Sequence, residues 1–350
     1  INLFNSLTNI SEIQIHDRES LSYSMPLQIK RKEQSLQRPC IKSFKNAGIE
    51  VFACVGRDLE RVKSFAENNG VQYYSNDYDR VLTSNAYDFV YIATPNNKHY
   101  EYARKAILAK KNVILEKPMC SNLKQATEII KLALDNGVFL FENNKVPYNR
   151  AYTYLKEDLK KIEPVRMVDL NFSKYSSKYD DFKAGKPQNT FSLETSGGAL
   201  MDINVYNISF VLGLFGMPKK CAYYCNKSDG IDISGTAILQ YDGFISSNIA
   251  CKDGNSMNYV NIVGENGYIC YNGHSSVFDS YDLNLNGQES EHKDFHNDDK
   301  FYDTFTSYRE MYENKDYAKC EEYLKLSLMV MKVLDDLRKS AGIVYTDDNN

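Results

Sequence analysis

No stretch of about 18 uninterrupted apolar residues occurs in this chain, which excludes an ordinary membrane-spanning helix. An excess of positive charge is also missing. The 42 Lys and Arg face 46 Asp and Glu, a formal net charge of −4, whereas a nucleic-acid binder usually shows a basic patch. Paired cysteines are absent: the eight come singly, and the closest two, Cys221 and Cys225, have no partner pair or nearby His. That spacing suits neither zinc nor a disulfide framework, and it fits the reduced thiols of a cytoplasmic protein. No metal site is expected. The N-terminus lacks the basic-then-apolar layout of a secretory signal. It begins at Ile1 rather than Met, so a fragment or processed form is expected. Finally, residues 1–47 contain no glycine, which removes any glycine-rich phosphate-binding turn from that segment.

What is present is alternation. From Ile41 to Phe141, β-rich runs and helical patterns succeed one another. "IEVFACV" (49–55) leads to a helical pattern over Leu59–Asn68. Val71–Tyr74 is a second strand, with a helix after Asp77. "YDFVYIATP" (87–95) is a near-continuous apolar run, as expected of a parallel strand covered on both faces. "KHYEYARKAILAKK" (98–111) has helical spacing through Tyr102, Ala103, Ala106 and Ile107. Lys111–Leu115 is the next strand and Asn122–Asn136 a helix ended by Gly137, before a strand at Val138–Phe141. This order predicts a parallel, doubly wound α/β sheet over residues 1–146.

After about Tyr148 strands dominate: Val165–Ser173, Cys221–Asn226, Gly235–Gln240, Phe244–Cys251, Tyr259–Val263 and Tyr268–Tyr271. Turns such as "YDGF" and "GENG" separate them, as antiparallel hairpins require. One helix, Gly198 to Phe215, is embedded between the first two strands, and a final helix covers Cys320–Lys339. Residues 147–350 therefore read as an α+β domain with an open, mainly antiparallel sheet, serving substrate binding and oligomerisation.

Ligands of open parallel sheets bind beyond the carboxyl ends of the strands. Two such ends are polar here, "ATPNNKH" (93–99) and "EKP" (116–118). A ligand with ribose hydroxyls and a polar ring would give Asn96 and Glu116 partners, and Lys117 would reach a substrate oxygen. A salt-bridged loop followed by a turn proline is the competing reading of the same residues.

The run "DFVYIATPNNKHYEYARKAILAKKNVILEKPMCSN" (88–122) resembles the central motif of the Gfo/Idh/MocA oxidoreductases, which include glucose–fructose oxidoreductase, inositol dehydrogenases and dihydrodiol dehydrogenases. The resemblance extends from about Ile41 to "LRKSAGI" near the C-terminus. It implies a Rossmann-type cofactor domain and hydride transfer between NAD(P) and a sugar, polyol or dihydrodiol-type carbon. Carried over, Thr94, Pro95, Asn96, His99 and Glu116 become cofactor-side residues. Lys117 becomes the catalytic lysine, also touching cofactor, before a cis Pro118. By itself His99 reads more simply as a helix-start residue.

The second constellation is "SGGALMDINVYNISFVLGLFG" (196–216). Gly197 and Gly198 permit close backbone approach. Asp202 and Tyr206, four apart, share one helix face. A carboxylate and a phenol beside a lysine form a proton-transfer cluster, in which the ammonium is expected to draw the phenol down toward working pH. A structural hydrogen bond is the plainer reading of the pair alone. The resemblance places a catalytic Asp and a His or Tyr at these positions, and Tyr206 fits the sugar and dihydrodiol branches. Asn204 stands where the family usually has glycine.

Weaker signals complete the reading. "GRDLER" (56–61) puts Arg57 where an adenosine ribose would lie, and no acidic residue ends that strand. This favours NADP slightly over NAD, with an exposed helix-start arginine as the alternative. "KYSSKYDD" (174–181) offers Lys174 and Tyr175 as substrate-pocket borders, or a solvated loop. A small carbohydrate-like substrate is expected, with a homo-oligomer (dimer or tetramer) formed through the open sheet. The missing glycines cut against this pattern. The phosphate turn belongs near "QIKRKEQSLQ" (28–37), which reads as charged coil or helix, so the sheet is expected to lack its first, central strand. Residues 1–40 read as a divergent, frame-altered or foreign segment, the last two favoured by the missing Met and the abrupt recovery at Ile41. Weak or absent NAD(P) binding follows. The alternative function is an impaired family member that acts as a ligand-binding or assembly protein.

Overall fold

The computed structural model describes residues 26–31 and 38–349. The remainder of the segment read as atypical, 1–25 and 32–37, lies outside the described residues. Its central expectation nonetheless needs correction. Pro26–Arg31 forms a strand, β1, that pairs in parallel with β2 (Glu50–Gly56) and β4 (Phe89–Ala93). Ile29 stands opposite Cys54 on one side and Tyr91 on the other. A strand carrying Gln28, Lys30 and Arg31 does not look like a buried sheet centre. Backbone pairing on both edges nevertheless makes it one, because register depends on main-chain groups that every residue carries.

Helix α1 (Arg38–Asn46) follows β1, and α2 (Leu59–Asn68) follows β2, with Asp58 as its N-cap. Next come β3 (Tyr73–Ser75), α3 (Tyr78–Leu82), β4, α4 (His99–Leu108), β5 (Asn112–Glu116), α5 (Leu123–Asn136) and β6 (Leu140–Asn143). The strand order β3-β2-β1-β4-β5-β6 is the doubly wound order, with its switch point between β1 and β4. Phe89, Val90, Ile92 and Val113 to Leu115 are fully buried. Neighbouring strand residues point to opposite faces, so both faces of the sheet are covered. Gly137 ends α5 in the left-handed region, φ 63°, as a C-cap does.

Helix α6 (Arg150–Ile162) leads into the second sheet. The sequence reading assigned no helix there, although Ala151, Tyr152, Leu155, Leu159 and Ile162 repeat at helical spacing behind an Asn149 cap. Then follow β7 (Val165–Ser173), α7 (Tyr179–Lys183), α8 (Val205–Phe215), β8 (Lys220–Ser228), β9 (Ile231–Gln240), β10 (Ile245–Cys251), β11 (Tyr259–Gly264), β12 (Gly267–Tyr271), β13 (Ser280–Leu285) and β14 (Glu291–Asp294). Helices α9 (Tyr302–Glu313) and α10 (Tyr317–Ser340) close the chain. The strands β13 and β14 and helix α9 were also unread in the sequence. The sheet order is β14-β13-β12-β11-β7-β10-β9-β8, antiparallel except for the β7–β10 pair. Helices α6, α8 and α10 pack on this sheet, and α10 also packs on α5 and β6 of the first. One continuous core therefore fixes the carboxyl ends of β4 and β5 against α8. No helix among the described residues is long and apolar enough to cross a membrane, and all eight cysteines are free thiols.

Candidate active site

The tip of β5 answers to three partners. The Glu116 carboxylate accepts from the Tyr91 hydroxyl on β4 and from Asn143 Nδ2 at the end of β6, the latter at 2.7 Å. The next residue, Lys117, turns toward the second sheet ahead of a cis peptide to Pro118. Its ammonium donates to the backbone carbonyl of Asp202 and to Asp202 Oδ1 at 3.1 Å, and it lies 5.0 Å from the centre of the Tyr206 ring. The three residues proposed from sequence as a proton-transfer cluster thus meet at one point, with Lys117 standing 85 residues before Asp202 in the chain.

The helix bearing Asp202 and Tyr206 differs from the uninterrupted one expected. Leu200–Asn204 is a π-helical turn and only Val205–Phe215 is α-helix. Widened turns of this kind recur at functional sites because they re-aim side chains and backbone groups. Here the Asp202 carbonyl is aimed at Lys117. Asn204 is fully buried, and its Nδ2 donates to the Asn248 carbonyl at 3.0 Å. The start of the turn is held by buried Asp232, whose Oδ2 accepts from the Leu200 amide at 2.7 Å. Gly198 has φ 101°, and a Cβ there would sit 2.0 Å from Asp232 Oδ1. One on Gly197 would sit 2.7 Å from the Asn189 carbonyl. Both glycines therefore serve close approach, as their sequence suggested.

Lys252, at the end of β10, was missed. It is buried, and its ammonium lies 2.5 Å from Asp202 Oδ2. A lone lysine in "CKDGN" carries no sequence signal beyond its place after an alternating strand. Burial pushes the Asp202 carboxyl up, but the Lys252 and Lys117 ammonium groups outweigh it and hold it well below the usual carboxylate range. Burial pulls the Lys117 ammonium down, yet Tyr206, Asp202 and Glu116 together keep it above its ordinary value. The Tyr206 phenol corrects the sequence reading. Burial pushes it up to about 12, and the opposing pull of Lys117 does not recover the difference. The hydroxyl has no hydrogen-bond partner among the described residues.

These groups line a cavity of about 760 Å³ that also takes in Cys40, Thr94, Pro95, Asn96, His99, Lys174 and Tyr175. Asn96 Nδ2 donates to the Ser196 carbonyl at 2.7 Å, tying the β4 tip to the glycine pair. His99 is fully buried, with its ring nitrogens each 2.9 Å from the carbonyls of Thr94 and Pro118. It braces the two strand tips against each other. Three buried polar atoms at the cavity wall, Thr94 Oγ1, Asn143 Oδ1 and Thr190 Oγ1, have no partner among the described residues. Such orphans fit a polar ligand between the β4 and β5 tips, and the nicotinamide half of a dinucleotide satisfies that requirement. Arg57 stands apart. It is exposed beyond the end of β2 and does not line the cavity. Among the described residues no His/Cys/Asp/Glu cluster suits a metal.

Comparison with known proteins agrees with this geometry. Residues 31–144 match the model of an oxidoreductase family with an NAD-binding Rossmann fold, and residues 158–270 match the GFO/IDH/MocA C-terminal domain. The chain is 34% identical to the NADP(+)-dependent scyllo-inositol 2-dehydrogenase IolU of Bacillus subtilis, over 86% of this chain and 93% of that one. It is 25% identical to trans-1,2-dihydrobenzene-1,2-diol dehydrogenase of Sus scrofa, over 85% and 91%. In fold it is similar to the 3-ketoreductase KijD10 of Actinomadura kijaniata, solved with NADP and TDP-benzene. The TM-score is 0.75 at 19% identity, covering 91% of this chain and 98% of that one.

Proposed function

The chain belongs to the Gfo/Idh/MocA family of NAD(P)-dependent oxidoreductases, and from that premise we propose that it reduces a carbonyl on a sugar- or polyol-like substrate, with Lys117, Asp202 and Tyr206 as its polar corner. The observation that carries this is the Lys117 ammonium, which bonds to Asp202 and faces the Tyr206 ring inside one cavity. The nicotinamide cofactor, when bound, supplies or accepts the hydride. Residues 1–146 would hold it, with Thr94, Pro95, Asn96 and Glu116 on its nicotinamide side, and residues 147–350 would hold the substrate.

With the phenol near 12 and the ammonium above its ordinary value, Tyr206 and Lys117 both carry protons at neutral pH. Lys117 donates a hydrogen bond to the substrate oxygen, and Tyr206 Oη gives up the proton that the reduced oxygen takes. Asp202 stays ionised, anchors both lysines and is too acidic to serve as a base. The resting charge state therefore favours reduction over oxidation.

NADP is the cofactor this reading prefers. Asp58, the nearest acid after β2, is engaged at the start of α2, where Oδ1 accepts from the Arg61 amide and Oδ2 pairs with Arg61 Nε at 3.3 Å. Arg57 beside it is open to a 2′-phosphate. The row of exposed Ile245, Met167 and Tyr268 with half-buried Val263 crosses four strands in register, which supports a homo-oligomer formed through the outer face of this sheet.

The test is absorbance at the reduced-nicotinamide wavelength, screened over ketoses, inososes and oxidised dihydrodiols with millimolar NADPH. Turnover of a carbohydrate-like carbonyl is the expected result. Saturable binding of these compounds without turnover would favour the rival, a ligand-binding protein. A second outcome concerns Lys252. Lys252→Met removes one of the two cations holding the Asp202 carboxyl down, so its titration moves up. Activity that needs ionised Asp202 falls as pH drops through that point, so the acid limb of the kcat/KM profile shifts to higher pH. An unmoved limb would separate Asp202 from the rate.

A further inference from the structure

The cavity is lined by five lysines, 117, 145, 174, 252 and 300, against two carboxylates, Glu116 and Asp202. The acids are already engaged: Asp202 pairs with Lys117 and Lys252, while Glu116 accepts from Tyr91 and Asn143. No carboxylate among the described residues lies within ion-pair distance of Lys145, Lys174 or Lys300. These three line the same cavity as His274, whose ring stacks on Phe172 at 3.9 Å, and Phe172 in turn packs 6.2 Å from the Tyr206 ring.

Resting on the function proposed above, we infer that Lys145, Lys174, Lys300 and His274 form an anion subsite, so that the substrate carries a phosphate or carboxylate group beside its reacting carbonyl. Unneutralised ammonium groups gathered at one concave wall repel each other and are stabilised by an anion placed among them. Burial and this repulsion act in the same direction on the cluster. Burial, then Lys300, pulls the Lys145 ammonium down to about 8, and burial with all three lysines pulls His274 down to about 4. The position favours substrate over dinucleotide. Lys174 follows β7 and His274 follows β12, both strands of the second sheet; Lys145 follows β6 at the edge of the first, while the proposed cofactor residues hang from β4 and β5.

Two measurements test this. The first is steady-state reduction at saturating NADPH of a neutral keto-sugar, its phosphate monoester and its carboxylate counterpart. The anionic forms are expected to win in kcat/KM by about ten- to a hundredfold, and Lys174→Met or Lys300→Met to cut that preference about tenfold while leaving the dinucleotide Kd unchanged. Equal use of the neutral form overturns the inference and leaves the function standing. So does a loss that appears in the dinucleotide Kd, which would assign the lysines to the cofactor phosphates. The second measurement does not depend on turnover. Calorimetric titration with inorganic phosphate and with acetate, in the absence of dinucleotide, should show millimolar or tighter binding by the full chain for at least one of them. That binding should be lost when Lys145, Lys174 and Lys300 are all replaced by Met. Which anion binds identifies the group, and binding of neither, or binding unaltered in the triple variant, overturns the subsite even if the enzyme proves active.

Discussion

Lys117→Met is expected to lower kcat by at least about a thousandfold while leaving a folded protein. The ammonium is the one group that touches both partners of the cluster, through Asp202 Oδ1 and carbonyl on one side and the Tyr206 ring on the other. Its removal takes away the donor proposed for the reacting oxygen. A donor placed in a buried site contributes a factor of about a hundred to a thousand, and coupled proton transfer multiplies this. The fold should survive, because Asp202 keeps Lys252 at 2.5 Å and the helix start keeps its Asp232 anchor. Substrate KM should change less than kcat, since the interaction grows only as charge develops on the oxygen. Lys117→Arg is a useful companion. It keeps the charge, but a planar fork replaces a point donor, so activity recovers only in part. Single-turnover rates at millimolar NADPH, with a thermal melt of each variant, decide the matter. A Met variant within threefold of wild type would remove the lysine from the chemistry.

Much of this site was legible because its residues sit at strand tips. Buried parallel strands announce themselves as apolar runs, and the first polar residues after them mark the crevice, as Thr94 to Asn96 and Glu116 to Lys117 do. Asp202 and Tyr206 were legible through their spacing. What escaped was of four kinds. Lys145 joins the cavity from just past β6, and Lys252, His274 and Lys300 join it from separate loops of the second half; no local pattern links a lysine after β10 to an aspartate 50 residues earlier. The acidity of Tyr206 was read with the wrong sign, because a neighbouring cation is visible in sequence while the extent of burial is not. And β1 was discounted because its glycine turn was missing, although strand pairing and phosphate binding are separate properties of the same segment. Helices α6 and α9 escaped because a tyrosine-rich pattern hides apolar periodicity. Tyr152 and Tyr308 are nonetheless fully buried, their hydroxyls donating to the carbonyls of Phe210 and Glu142.

That separation leads to the second large effect, on cofactor affinity. β1 ends at Arg31 and α1 begins at Arg38, and the six residues between them in sequence, "KEQSLQ", include no glycine, whereas a doubly wound sheet binds pyrophosphate with a glycine-spaced turn after its first strand. A pyrophosphate approaches such a turn closely enough that a Cβ stands where a phosphate oxygen should be, and the amide donors are then held off. NADP is therefore expected to bind the unaltered chain with a Kd no tighter than high micromolar. Installing the glycine spacing at the same length, Lys32→Gly with Gln34→Gly and Gln37→Gly, should tighten binding by about a hundredfold or more. The neighbouring half of the site is already built, with orphaned Thr94 Oγ1 and Asn143 Oδ1 at its wall, so the gain should appear without any change near Lys117. Nicotinamide fluorescence titrations of the two proteins measure it. The substitutions also remove a cation, Lys32, which by itself would weaken phosphate binding, so a net gain isolates backbone approach from charge. Micromolar binding by the unaltered chain would mean that lysine and arginine side chains have taken over what glycine amides ordinarily do.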